Sequence, residues 1–170
     1  KMFTAVSIAQ LAERGKLKYE DRIIKFLPDY PSAVANKVTI HHLLTHTSGM
    51  GSYWKDEFHE ANHARFRKIQ DYFPLFEHDP LDFEPGQKWS YSNAGYMILG
   101  AIIERVTGKS YFDYVKENVF SRAGMGRTDF FEADRPMPDI AQGYTKRNRY
   151  LPEAQESTNN IFLSAVERCP

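Results

Sequence analysis

A single cysteine, Cys169, stands one residue from the C-terminus, so no disulfide can form within the chain and the thiol says nothing of the redox compartment. An excess of charge is lacking too. The 22 lysines and arginines are matched by 22 aspartates and glutamates, which leaves no net field to draw nucleic acid or an anionic membrane. No apolar run approaches the roughly 18 residues of a membrane span, and the chain opens on a lysine and an amphipathic segment rather than on a signal peptide. Internal repeats, low-complexity tracts and a clear linker are missing, which predicts one mostly helical unit over residues 1–170. There is no initiator methionine. An opening in the middle of an apolar element leads us to expect a fragment of a longer protein. What the length does allow is one compact domain that buries roughly 70% of the surface its unfolded form exposes.

Apolar periodicity marks the elements. "KMFTAVSIAQLAER" is apolar around most of its circumference and predicts a buried helix from Lys1 to Arg14, closed by Gly15. A shorter helix is expected over Tyr19 to Phe26, stopped by Pro28 and Pro31. Thr39 is the expected N-cap of "IHHLL", with Ile40, Leu43 and Leu44 inward, and a Ser-Gly turn follows. Residues 51–80 are rich in charge and aromatics, with a helix expected near Ala61 to Phe73. A Pro-Gly turn and a brief extended segment lead to a long helix from about Ala94 to Val106, capped by Gly108. Ser110 and Asp113 start another, whose Phe112, Val115, Val119 and Phe120 share a face. Beyond Gly124 the chain is Pro-rich and irregular, with a short strand expected at "IAQGYT".

Several patterns suggest chemistry. His59-Glu60-Ala61-Asn62-His63 fits His-Glu-x-x-His, in which two imidazoles one helical turn apart grip zinc while the Glu activates water. Its flanks, "WKDEF" and "ARFRK", bring charge in nearly every turn and read as a solvated helix without the buried anchor that rigid ligands need. The plainer reading is exposed polar side chains. His41, His42 and His46 surround a different helix and His78 lies in a loop, so no ordered third ligand is evident; rings that cap or brace the turn after "IHHLLTH" are the plainer reading there.

Tyr91-Ser92-Asn93 turns from an extended segment into a buried helix, which sets a phenol and an amide side by side at a cleft edge. A tyrosine takes a proton from a serine only where cationic neighbours lower its pKa, so this chemistry requires a lysine nearby in space. The alternative is an Asn N-cap beside a packed tyrosine. Lys1 stands at the N-terminus of the most buried helix, where burial would favour a neutral, proton-accepting amine and fraying would leave a solvated cation. Ser52-Tyr53-Trp54-Lys55 also satisfies Ser-x-x-Lys, but it follows a Gly-rich turn, leads into charged sequence and reads as a loop.

Three blocks in order, "KMFTAVSIAQLAERGKL", "VTIHHLLTHTSGM" and "FEPGQKWSYSNAGYMILGAIIERVTGKSYFDYV", resemble the serine β-lactamase and penicillin-binding-protein superfamily, in particular its class C and esterase-like branch. The resemblance covers Lys1 to about Thr128. It implies an α+β fold of the β-lactamase/transpeptidase type, with this chain covering mainly the helical domain and lacking most of the antiparallel sheet. It further implies a serine acyl hydrolase that works through an acyl-enzyme on a small-molecule amide, lactam or ester, with no metal or other cofactor. Lys1 then matches the lysine of Ser-x-x-Lys and Tyr91 the tyrosine of Tyr-x-Asn, both catalytic, and Asn93 binds substrate. The serine would stand three positions before Lys1. The family's Lys-Thr-Gly or His-x-Gly strand is not found, since "TGK" at Thr107 to Lys109 has the wrong order and sits at a helix end. The implied partner is the sheet portion of the same protein, and the implied location is periplasmic or extracellular. Two alternatives stay open: a non-catalytic binding or interaction domain on the same scaffold, and a zinc metallopeptidase built on His59-Glu60-x-x-His63.

Overall fold

A computed structural model describes residues 1–62 and 65–131, together with the backbone of two short strands, β1 (Tyr144–Thr145) and β2 (Thr158–Asn159). These strands pair antiparallel with Tyr144 opposite Asn159, and β1 takes the last two residues of the expected "IAQGYT" strand. The remainder is helical: α1 (Met2–Glu13), α2 (Ser32–Ala35), α3 (Ile40–Leu44), α4 (Asp56–Glu60), α5 (Asn93–Thr107) and α6 (Tyr111–Val115). A π-helical turn, Lys116–Phe120, continues α6.

Helix α5 is the hub, touching α1, α3, α6 and the 3-10 segment Ile69–Leu75. Its Met97, Ile98, Leu99, Ile102 and Ile103 are fully buried, and each such side chain stabilises the fold by about 1.5–3 kcal/mol relative to exposure. No face of α5 from Ala94 to Ile103 reaches solvent, which is why its sequence is apolar all round. The left-handed Gly108 (φ 69°) ends the helix as expected. At its start the cap is Ser92, whose Oγ accepts the Gly95 N–H at 2.9 Å, rather than Asn93.

Helix α1 lies against α5 and α6 and buries Thr4, Ser7, Ile8 and Leu11. It closes in a Schellman arrangement: Gly15 (φ 67°) donates to the Ala12 carbonyl and Lys16 to that of Leu11, both at 2.9 Å. Burial is less complete than the apolar sequence predicts. Met2 and Val6, one turn apart, are 69% and 43% exposed, because the described elements leave that face of α1 open.

Two expected helices do not form. Over Tyr19 to Phe26 there is only the 3-10 turn Ile23–Lys25. Arg22 is extended and bridges Thr39; Ile23 donates to the Val38 carbonyl at 3.0 Å, and Asp21 and Tyr19 accept from Ile40 and His41. Backbone groups committed to those distant partners are lost to an i→i−4 ladder. Between Ala61 and Phe73, Ala61 and Lys68 are both extended, and Ile69–Leu75 is a 3-10 segment containing Pro74. The Asp71 carboxylate accepts from Lys68 N at 2.7 Å and Arg67 N at 2.9 Å, and this short-range capture of the backbone competes with a helix through those residues. The segment is held instead by buried rings: Phe58, Phe66 and Tyr72 lie with centroids 4.9–6.1 Å apart, and Tyr53 joins them at 5.1 Å from Tyr72.

Thr39 caps α3 as predicted, and its partner is a histidine. Thr39 Oγ1 accepts the His42 N–H while His42 Nδ1 accepts the Thr39 N–H, each at 3.2 Å, which forms a capping box with imidazole in the place usually held by Glu or Gln. Burial, and then the neighbouring His41, hold the His42 imidazole below its ordinary value. Its folded pKa is therefore depressed relative to an unfolded value of about 6.5, so its contribution to stability is complete above that value and is lost as pH falls through it toward the folded pKa. Urea unfolding should show Thr39→Ala destabilised by about 1 kcal/mol near pH 7.5. It should also show a shallower loss of stability below about pH 6.5 in His42→Gln, which restores the usual capping residue and cannot titrate.

Candidate functional site

Two segments that lie far apart in sequence run side by side at the N-terminal end of α5. Asp82 donates to the Gly49 carbonyl, Gly86 to that of Thr47 and Ser90 to that of His46, each at 2.8 Å. Two further bonds come from side chains: Ser92 N–H donates to His46 Nδ1 at 3.1 Å, and Ser92 Oγ donates to the Gly51 carbonyl at 2.8 Å. Close approach demands glycine at one position. Gly49 has φ 76°, and a Cβ there would meet the Phe83 carbonyl oxygen at 2.2 Å.

This pairing sets the stretch from Trp89 to Asn93 against the start of α1. The Lys1 ammonium lies 5.4 Å from the Tyr91 ring centroid and 5.1 Å from that of Tyr96. The His46 ring is in contact with the same two phenols, 4.7 Å from Tyr91 and 5.1 Å from Tyr96. Asn93, the first residue of α5, directs Nδ2 to Ser52 Oγ at 3.3 Å. The lysine that a Tyr-x-Asn pair requires is thus beside it, and Tyr91 is half-exposed at the mouth of the cluster. Burial and then the Lys1 cation hold His46 below its ordinary pKa. Burial and then Tyr91 push the Tyr96 phenol up, in keeping with its donation to the Leu44 carbonyl at 3.2 Å.

Lys1, Tyr91 and Asn93 therefore stand together at one end of α5, as the sequence pattern suggests. Tyr96 and the bracing of Tyr91 by His46 add to that set. Tyr96 lies one turn beyond Ser92 on the same helix end, and that spacing is the signal that could have brought it in. Ser52 lies in a loop, as its sequence context predicts, and its hydroxyl meets Asn93. Its apparent motif partner does not follow, because Lys55 pairs with Asp79 and donates to the Leu75 carbonyl at 3.2 Å.

His59-Glu60-x-x-His63 is not brought into register. Helix α4 ends at Glu60 and Ala61 is extended, so the helix that carries His59 stops one residue after it. His59 is half-buried with its ring 5.3 Å from Trp54 and 5.8 Å from Phe58, which corrects the picture of a wholly solvated helix; His63 lies outside the described residues. Among the described residues no three His, Cys, Asp or Glu side chains are placed to hold a metal ion. Nor is any described helix long and apolar enough to cross a membrane. A cleft of about 460 Å³ lies at the other end of α5, lined by Phe26, Leu27, Phe73, Ala101 and Arg105 among others. Its lining holds Arg105 and Tyr30 beside Asp29, Glu77 and Glu104 but neither a lysine nor a histidine, whereas Lys1, two phenols and an imidazole meet in the cluster around Tyr91.

The chain belongs to the beta-lactamase family, whose model matches residues 1–162. It is 36% identical to penicillin-binding protein 4* of Bacillus subtilis over 98% of its own length and 39% of that protein. It is 35% identical to the esterase EstB of Burkholderia gladioli, over 79% of this chain and 37% of the esterase. Among solved structures, a penicillin-binding protein from Bacillus halodurans superposes with a TM-score of 0.85 at 37% identity, over 97% of this chain and 50% of the other. The fold is thus of the β-lactamase/transpeptidase type, with the described part mostly helical, and the chain spans half or less of the length of these relatives.

Gly49→Ala tests the pairing of the two segments. The left-handed backbone and the contact with Phe83 together should cost at least about 2 kcal/mol in urea unfolding, whereas Gly51→Ala, where a Cβ meets nothing, should change stability by less than about 1 kcal/mol.

Proposed function

We propose that this chain is part of a serine acyl hydrolase, in which Lys1 and Tyr91 handle the proton and Asn93 binds the substrate's amide or ester side. The observation that carries the reading is the placement of the Lys1 ammonium against the Tyr91 ring, with Asn93 at the head of the next helix. The names of the relatives, a penicillin-binding protein and an esterase, support acyl chemistry as the class. In this reading the nucleophile is a serine three positions upstream of Lys1 in the full-length protein.

The roles follow from the side chains. The serine oxygen attacks the acyl carbonyl while its proton passes to the Lys1–Tyr91 pair; for either to accept it, Lys1 must be the neutral amine or Tyr91 the phenolate. The tetrahedral oxyanion collapses, the bond to the leaving group breaks, and the departing amine or alkoxide takes up that proton. Water then gives a proton to the same pair as it attacks the acyl-enzyme, releasing the acid and restoring the serine. Asn93 Nδ2, now on Ser52 Oγ, is a donor that a substrate carbonyl can take over.

Turnover of a p-nitrophenyl ester or nitrocefin by the full-length protein tests the assignment. Tyr91→Phe should lower kcat by about 100-fold or more. Unchanged turnover removes Tyr91 from the chemistry, and any residue but serine three positions upstream of Lys1 favours a non-catalytic binding domain on this scaffold.

A further inference from the structure

His46 is the one residue other than glycine with a positive φ among the described residues, at 58°. An L-residue in the left-handed region costs on the order of 1 kcal/mol, and such strain persists only where the surroundings hold it. The surroundings are specific. The backbone carbonyl of His46 accepts the Ser90 N–H at 2.8 Å and its Nδ1 accepts the Ser92 N–H at 3.1 Å, so one residue holds the two amides that flank Tyr91. The imidazole also lies against the Tyr91 ring, at an interplanar angle of 32°. His46 is also the left-handed residue that closes α3, where its N–H donates to the Leu43 carbonyl at 3.4 Å and the Thr47 N–H to that of His42 at 2.9 Å, so the turn that ends the helix carries both acceptors.

We propose that His46 is a positioning residue of the acyl-transfer site: as a neutral imidazole it clamps Ser90 and Ser92 and so holds the Tyr91 phenol beside Lys1, and protonation opens the clamp. The inference rests on the acyl-hydrolase reading for its effect on turnover, though not for the clamp itself. With Nδ1 accepting, the ring proton resides on Nε2. Adding a second proton turns Nδ1 into a donor facing the Ser92 donor, and the bond is lost. The groups that face the ring act in one direction. Lys1 on α1 opposes a second positive charge, while Tyr91, preceding α5, and Tyr96 on α5 contribute neutral phenols when protonated. The neutral ring, and with it the clamp, is therefore favoured down to a pH below the ordinary histidine range.

Two substitutions separate clamping from mere packing. His46→Asn keeps a side-chain oxygen near the Nδ1 position, tolerates the left-handed backbone and does not titrate. His46→Gly relieves the strain and removes the acceptor. In the full-length protein, His46→Asn should keep kcat near pH 8 to within about tenfold and lose the step in the kcat profile whose midpoint matches the His46 titration, while any limb that belongs to the Lys1–Tyr91 pair stays. His46→Gly should lose about 10- to 100-fold in kcat at every pH with little change in KM, the loss that a misplacement of about 1 Å produces. Independently of turnover, the Ser92 amide resonance in wild-type protein should shift with the same midpoint as the His46 imidazole, and should stay fixed through that range in His46→Asn. Wild-type kcat and pH profile in His46→Gly, or a Ser92 amide that ignores the His46 titration, overturns the proposal. A wild type inactive on every acyl substrate sinks the acyl-hydrolase reading instead, and the Ser92 titration still decides the clamp.

Discussion

Everything around the candidate site depends on the pairing of the 46–51 turn with the 82–92 segment. These segments belong to no regular sheet, and their alignment rests on a few backbone bonds and on Ser92, which serves three partners at once. Its hydroxyl caps α5 through Gly95, the same hydroxyl donates to the Gly51 carbonyl, and its N–H donates to His46. A buried hydroxyl used as both donor and acceptor leaves no polar atom unsatisfied, and it ties the origin of α5 to the turn across from it. Because α5 begins there, Asn93 is necessarily at that junction and Tyr91 is necessarily just outside it.

The hydrophobic core fixes the other side of the site. Helix α1 packs on α5 and α6, and one polar contact specifies how: Thr4 Oγ1 and the Tyr111 hydroxyl are 2.9 Å apart, both fully buried, 107 residues distant in sequence. Gln10 adds a bond to the Asn118 carbonyl at 2.9 Å farther along the same face. Buried polar pairs of this kind penalise any sliding or rotation of the helix, because each group would lose its partner in a medium with no water to replace it. The position of Lys1 at the head of α1 follows from that register. Lys1 and Tyr91 therefore meet because α1 is registered on α6 and α5 is pinned by Ser92.

Much of this was legible in the sequence, and the reasons for success and failure differ by element. The cap at Thr39, the start at Ser110, the stops at Gly15 and Gly108 and the apolar run of α5 are local signals, decided within one or two turns of chain. The extended Asp21–Arg22 stretch is different, for its backbone is taken by residues 38–40, and no reading of residues 19–26 alone contains that information. The segment from Ala61 to Leu75 misled for a similar reason: its charges suggested a solvated helix, while Phe66, Ile69 and Tyr72 are buried in an aromatic cluster whose other members, Tyr53 and Phe58, lie earlier in the chain. Of the site, the triplet Tyr91-Ser92-Asn93 is visible as a pattern, but the importance of its middle residue comes from partners more than 40 residues away, which no local pattern contains.

The two catalytic patterns that did not assemble show why spacing alone is weak evidence. Ser52 and Lys55 have the separation of a nucleophile and its base, yet they are drawn apart by stronger partners: the ammonium of Lys55 goes to the Asp79 carboxylate, while the hydroxyl of Ser52 receives the Trp54 N–H and the Asn93 amide. His59 has the separation of a zinc ligand from position 63, yet the helix that would convert spacing into a shared face ends at Glu60. In both cases the residue types are right, and the backbone or a competing partner decides where the side chain goes. The Lys1 ammonium lies over the Tyr91 and Tyr96 rings, and His46 packs against the same two phenols. What separates the two lysines is therefore placement: Lys1 stands against Tyr91 beside the start of α5, and Lys55 against Asp79.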